Sequence, residues 1–386
     1  MLRSRLFAIL LGSAAAAAMA ATPAAALTIA LTDIGGVTGT QAETGFRIAA
    51  KYWESVLTNA GTVQINVGYS DLGPGVLGGT GSSLATFVPI DTYKALLSTT
   101  GTSALDAIAV ANFAPTNGFG SVDVTVPGYF TMGTGVDPFS TRLAPADGSA
   151  ISSTIALSTA NLVALGIDLG NFPDAEIQFS STFDFDFDPT NGISGSSYDF
   201  IGVAVHEIGH ALGFISGVDD FEAAAGNSGA VDPFWWGYGL DMFRRSGAGP
   251  LDWSINSPAF FSIDGVNPLF DGYFSTGADF GNGWQASHWL PPSGPACANF
   301  RGIMNPYICN GLGDAVSGLD LAAFDAIGWN INFDVLADNN AYNVSTTQIY
   351  QSFSAAVPEP ATWAMMILGF GLMGTLARRR RVALAV

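Results

Sequence analysis

His206, Glu207 and His210 stand in the order His-Glu-Ile-Gly-His, and residues of those types at that spacing can perform one specific kind of chemistry. On an α-helix, positions four apart lie one above the other, so both imidazoles reach a single metal ion. Zinc suits two imidazole ligands. The glutamate between them then lies beside the water the metal activates, and can take its proton as it attacks a carbonyl. The spacing therefore assigns His206 and His210 as zinc ligands and Glu207 as general base. The chain contains only three histidines, so the pattern is improbable by chance. Ile201, Val203, Ala204, Val205, Ile208, Ala211 and Leu212 surround the trio with apolar side chains. Polar groups inside such a helix need a partner, and a metal provides one.

A hydrolytic zinc site uses three protein ligands and keeps one position open. Gly213 and Phe214 extend the motif to HEIGHALGF. This stretch resembles the metzincin pattern H-E-x-x-H-x-x-G-x-x-H, in which the glycine turns the chain and a third histidine follows. Ser216 occupies the third-histidine position here and is a poor zinc ligand. The remaining histidine, His288, lies in Ala286-Ser287-His288-Trp289, ahead of Gly302-Ile303-Met304-Asn305-Pro306. That layout resembles the leishmanolysin-type metallopeptidases, where a long insertion precedes a third histidine and a methionine turn. The resemblance spans residues 200–328. It implies His288 as third ligand and Met304 as the methionine turn beneath the metal. Asp219, Asp220 and Glu222 compete as ligands on the residues alone. Tyr307 lies three residues after Met304, where some metzincins place a metal- or oxyanion-binding tyrosine two residues after it.

The elements that must hold these residues read as a mixed α+β chain. Residues 27–32 and 63–69 alternate apolar and polar side chains as strands, and residues 41–58 carry helical spacing between them. Further strands are predicted at 122–130 and 175–187, with a short helix at 91–98. The motif helix covers residues 198–214. Residues 219–306, rich in Gly, Pro, Asp and aromatics, predict loops, and residues 319–327 a closing helix capped by Ser317 or Asp314. Residues 330–356 read as a last strand and a linker. With the resemblance, the expected architecture is a zincin/metzincin-like twisted sheet with an active-site helix, followed by a loop-rich C-terminal subdomain. The division runs 1–26 signal peptide, 27–214 catalytic subdomain, 215–335 third-ligand subdomain, 336–356 linker and 357–386 sorting tail.

Both ends read as processing segments. A basic start with Arg3 and Arg5, an apolar run and Ala24-Ala25-Ala26 form the layout of a secretory signal peptide. At the other end, Pro358-Glu359-Pro360 precedes an apolar stretch containing Gly369-Phe370-Gly371, and Arg378 to Arg381 follow. These three parts resemble the PEP-CTERM sorting signal of Gram-negative bacteria. The resemblance implies an exosortase-type processing enzyme as partner, a transient inner-membrane anchor through the tail, and a destination at the cell surface or extracellular matrix.

Without Arg3, Arg5, Arg378 to Arg381 and Glu359, seven basic and 31 acidic residues remain of 13 and 32, a net charge of −24. Such a body repels phosphates, which argues against nucleic acid as a partner. Asp184, Asp186 and Asp188 alternate with Phe183, Phe185 and Phe187, so a strand would present three carboxylates on one face as a possible Ca2+ site, with Asn191 and Asp199 near. The only cysteines, Cys297 and Cys309, suit a disulfide in an oxidising compartment. The expected function is a secreted or surface-sorted zinc endopeptidase acting on a protein or peptide. The competing reading is a non-catalytic zinc-containing surface or matrix protein, against which the retained Glu207 argues, since a structural site needs no general base.

Overall fold

The computed structural model describes residues 26–357, apart from 171, 227, 228, 233, 234, 294–296 and 298. The signal-peptide segment and the sorting tail beyond Val357 lie outside the described residues.

The chain opens with β1 (Leu27–Gly35), α1 (Gln41–Val56) and β2 (Gly61–Ser70), as the alternation and helical spacing predict. Next come β3 (Gly78–Ser82), β4 (Leu84–Pro89), α2 (Ile90–Thr100), α3 (Ala104–Ala111), β5 (Val124–Thr131) and β6 (Thr134–Leu143). They are followed by α4 (Ala150–Ser153), β7 (Thr154–Ser158), α5 (Thr159–Ala164) and β8 (Ala175–Ser180). The motif helix is α6 (Phe200–Ala211), and α7 (Val218–Ala223) and α8 (Gly318–Ala326) frame the loop-rich region after it. The architecture is mixed α+β with several small sheets.

The principal sheet has the order β1-β2-β8-β3. β1, β2 and β8 run parallel, whereas β3 lies antiparallel to β8 at the edge. Val63, Ile65, Val67, Ile177 and Phe179 are buried between this sheet and its helices. α1 turns Phe46, Ile48, Ala49, Tyr52 and Trp53 inward, while Arg47 pairs with Glu43 and Lys51 with Glu54 on its solvent side. The burial of that apolar face, not the exposed ion pairs, holds the helix; such pairs contribute about 0.3–0.5 kcal/mol each. Trp53 then ties α1 to the motif helix, its indole N–H donating to the Val205 carbonyl at 3.0 Å.

One strand lies where none is predicted, and two predicted segments differ from expectation. β3 falls in a glycine-rich stretch with little intrinsic strand preference; pairing with β8 imposes the conformation. A side chain at Gly78 would meet the Gln178 carbonyl at 3.0 Å and the Phe179 ring at 2.9 Å, so glycine permits that close pairing. The strand predicted over 175–187 ends at Ser180, and Phe185 and Asp186 pair separately with Tyr198 and Asp199. Residues 330–356 form a helical turn (Val335–Asp338), a short strand (Asn343–Ser345) and a helix (Thr346–Phe353). Ser345 and Gln348 make a reciprocal capping box at its start, the signal that the polar composition obscured.

Candidate metal centre

Asp199 starts α6, its Oδ1 accepting the Gly202 N–H at 3.1 Å. From there to Ala211 almost every side chain is apolar and buried, so the helix runs through the core and not along its surface. Gly213, at φ +107°, ends it with a sharp turn; a Cβ there would lie 2.2 Å from the Asn161 side-chain oxygen. The resemblance's turning glycine is thus demanded by this fold on two counts.

His206 and His210 project from one face, with Nε2 atoms 3.0 Å apart. The loop region brings His288 against them, its Nε2 lying 3.1 Å from that of His210 and 3.3 Å from that of His206. The other ring nitrogens all face backbone carbonyls. His206 Nδ1 lies 2.6 Å from the Ile303 oxygen, His210 Nδ1 2.7 Å from that of Phe214, and His288 Nδ1 3.3 Å from that of Gln285. A carbonyl can only accept, so each Nδ1 carries the proton and each neutral Nε2 presents a lone pair. Three lone pairs facing one another repel unless a cation stands between them. A zinc–nitrogen bond of about 2.0–2.1 Å at a tetrahedral angle would space ligand nitrogens by roughly 3.3–3.4 Å. The three histidines fit that donor set in type, tautomer and spacing. Burial, and secondarily His206, pushes His210 down to about 3; burial with the neighbouring histidines holds His288 well below the ordinary imidazole range.

Asp219, Asp220 and Glu222, the competing ligands on sequence grounds, do something else. Asp219 accepts the backbone N–H groups of Ala286 at 2.6 Å and Ser287 at 3.0 Å, and the Ser287 hydroxyl as well. It clamps the segment that delivers His288. Asp220 accepts the Tyr238 hydroxyl, and Glu222 accepts the N–H groups of Ala278, Asp279 and Phe280 at 2.7–2.9 Å. Buried Arg244 holds the same segment from beneath, donating to the Ser275 carbonyl at 2.9 Å over the Phe274 ring. Ser216 donates to Asp241 at 2.6 Å instead of facing the histidines.

Met304 is fully buried, and a Cβ on Gly209 would meet its sulfur at 2.6 Å, so its side chain lies directly against the motif helix. The Met304 carbonyl accepts the Trp289 N–H at 3.0 Å. Cys297 and Cys309 are joined in a disulfide across the loop that contains it.

A cleft of about 230 Å³ is lined by His206 and His288 of the triad. Glu207 lines it as well, together with Asn305, Pro306 and Tyr307. Thr80 Oγ1 of the edge strand β3 lies 2.7 Å from Glu207 Oε2 and 2.9 Å from the Glu207 carbonyl oxygen. Ser82 donates to the His210 carbonyl at 3.1 Å. Tyr307 packs on Trp284 at 5.2 Å between ring centres. Thr80 is not recognisable as a site-building residue in sequence, because it acts from a segment remote from the motif, whereas Asp219 stands out in sequence as a candidate ligand and serves instead as a clamp.

The aspartates Asp184, Asp186 and Asp188 serve local turns. Asp184 accepts from Ser196 and Ser197, Asp186 from Ser194 and the Asp188 N–H, and Asp188 from Thr190. Asp199 is engaged as the cap of α6. Among the described residues the histidine triad is the one metal-type cluster of three or more His, Cys, Asp or Glu side chains.

Comparison with known families resolves one part of the chain. The tail carries a PEP-CTERM protein-sorting motif. It matches over residues 356–381. That motif marks an exported protein sorted to the cell surface in Gram-negative bacteria and recognised by an exosortase-type processing enzyme. No curated protein and no solved structure matches the chain. Among the described residues no helix is long and apolar enough to cross a membrane.

Proposed function

We propose that the protein is an exported zinc-dependent endopeptidase in which His206, His210 and His288 hold the ion and Glu207 is the general base. One observation carries this reading: three carbonyl-oriented imidazoles converge through their Nε2 atoms within 3.0–3.3 Å, and two of them, His206 and His288, line a cleft that Glu207 also lines. A zinc ion bound there would supply a Lewis acid and an acidified water. Glu207 would accept the proton of the attacking water and return it to the leaving amine. Thr80 keeps one Glu207 oxygen engaged and so fixes the carboxylate's direction. A peptide fits as substrate because β3 pairs on only one side among the described residues, and Leu77 and Gly78 border the cleft. An extended peptide can add to such an edge through main-chain hydrogen bonds.

The test uses the protein secreted into the medium. Metal analysis should find one zinc per chain, and casein cleavage should stop with a chelator and return with zinc. Glu207→Gln should keep the zinc and lower the rate about 10²–10⁴-fold. Undiminished cleavage by that variant would remove Glu207 from the reaction, and zinc binding without any cleavage would leave a structural zinc protein.

A further inference from the structure

We infer that Asp314 selects a basic side chain, lysine or arginine, in the peptide bound beside the histidine triad; this deepens the peptidase reading above and rests on it. Asp314 lines the catalytic cleft together with Gly202 and Val203 of α6 and with Asn305. It also lines an adjoining recess of about 290 Å³ that includes Arg301, Asn343 and Ser345. The residue therefore stands where the two spaces meet.

Its placement is fixed. Asp314 begins the antiparallel ribbon of Ala315–Ser317 and Asn343–Ser345, and its carbonyl accepts the Thr346 N–H at 3.0 Å. Oδ1 accepts the Ala315 N–H at 2.7 Å, while Oδ2 takes no hydrogen bond among the described residues. No cation pairs with it: the ion pairs of the described chain use Glu43, Glu54, Asp232 and Asp271. Arg301, the basic residue of the adjoining recess, is committed to Asp271 and to the Leu290 carbonyl. The charges that act on Asp314 are those of two more buried carboxylates, Asp199 and Asp320. Burial, and to a lesser degree these two carboxylates, pushes Asp314 up to about 8, so the group holds its proton near neutral pH and gives it up when a cation is placed beside it.

A second observation is independent of charge. Asn305 is only 2% exposed, lines the same cleft, and its Nδ2 has no hydrogen-bond partner. A buried amide donor left unmatched is costly, and a turn of the Asn305 side chain towards the cleft would let a ligand carbonyl match it. An amino-acid residue with a cationic side chain offers both groups: a main-chain carbonyl for Asn305 and an ammonium or guanidinium for Asp314. A divalent metal fits less well, because an N–H donor would face the ion.

The test measures binding of capped hexapeptides to the secreted, metal-replete protein by fluorescence anisotropy. Lysine or its uncharged analogue norleucine is placed at each position in turn. At one position the lysine and arginine peptides should bind roughly tenfold or more tightly than the norleucine peptide, a difference of about 1.4 kcal/mol. Asp314→Asn should abolish that difference. Equal affinity of lysine and norleucine peptides at every position overturns the inference, and this comparison needs no variant. Mapping of casein cleavage sites separates the two ideas. Cleavage without enrichment of a basic residue sinks Asp314 as selector and leaves the peptidase intact. A lysine preference in binding with no bond cleaved sinks the peptidase and leaves a cation-selective groove.

Discussion

The carboxylate of Asp320 accepts the indole N–H of Trp289 at 2.8 Å, so the residue following His288 is fastened to the helix that closes the fold. The same carboxylate accepts the N–H of Ile303 at 2.9 Å and of Met304 at 3.3 Å, and the N–H and hydroxyl of Ser317 at 2.7 and 2.8 Å. One buried side chain in α8 thereby sets the position of both segments that meet the motif helix. Asp320→Ala would strand these donors, and should destabilise the protein on the order of 3 kcal/mol or more. Urea unfolding and zinc content measure it; an unchanged midpoint with full zinc would show that the hub is dispensable.

His288 and Asp219 should separate ligand from clamp. His288→Ala is expected to lose bound zinc at equimolar metal. Asp219→Ala should retain a site weakened about 10–100-fold, the range found when residues that orient ligands are lost. Competition with a colourimetric chelator gives both affinities. Full zinc retention by His288→Ala would return the third ligand to the aspartates.

Gly213 tests the turn after the motif. Its φ of +107° and the 2.2 Å approach of Asn161 to a built Cβ leave no room for alanine. Gly213→Ala should cost roughly 1–3 kcal/mol from backbone strain, with more if Asn161 cannot move. A thermal midpoint equal to that of the parent would refute the reading.

Acid should loosen the metal-free site. His210 titrates near 6.5 when unfolded and is held down to about 3 when folded, chiefly by burial. Its contribution to stability is therefore full above about 6.5 and is lost as pH falls towards about 3, because the unfolded chain binds the extra proton. Burial raises Asp199 and Asp219 to about 6, and these act in the opposite sense as they gain protons. The difference between the chelated parent and chelated His210→Gln isolates the histidine. That difference should shift in favour of the variant as urea midpoints are taken from pH 7.5 to pH 4, and a flat difference would contradict it.

The disulfide carries a fourth expectation for stability. Cys297 and Cys309, 12 positions apart, close a loop that contains Met304. Replacing both with serine should lower stability by about 3 kcal/mol through the freed loop. If Met304 is held by that loop, zinc affinity should fall in the same variant; loss of stability with unchanged affinity would mark the bond as a general staple.

The motif helix and its two histidines were legible because helical spacing converts sequence distance directly into geometry. The opening strand, helix and strand were legible for the same reason, their apolar positions repeating at the periods of the elements they form. His288 was found by resemblance, and its convergence with His206 and His210 depends on clamps that no local pattern reveals. Asp219 reads in sequence as a candidate ligand, yet its oxygens face the backbone of Ala286 and Ser287. Thr80 sits among glycines that suggest a loop, and only pairing with β8 makes it a strand that reaches Glu207. In residues 330–356 a polar composition outweighed the Ser345–Gln348 cap, which was the better evidence.

The 78 residues that separate His210 from His288 impose an order of events on the emerging chain. A chain threaded out amino-terminus first offers two imidazoles long before the third, and Asp320 arrives later still. Two imidazoles hold zinc far less firmly than three. If the triad holds zinc as proposed, full affinity would be reached only after residue 288 and its tether Asp320 had emerged, so metal retention would report long-range assembly, and a chain clipped before residue 288 would lack the third imidazole.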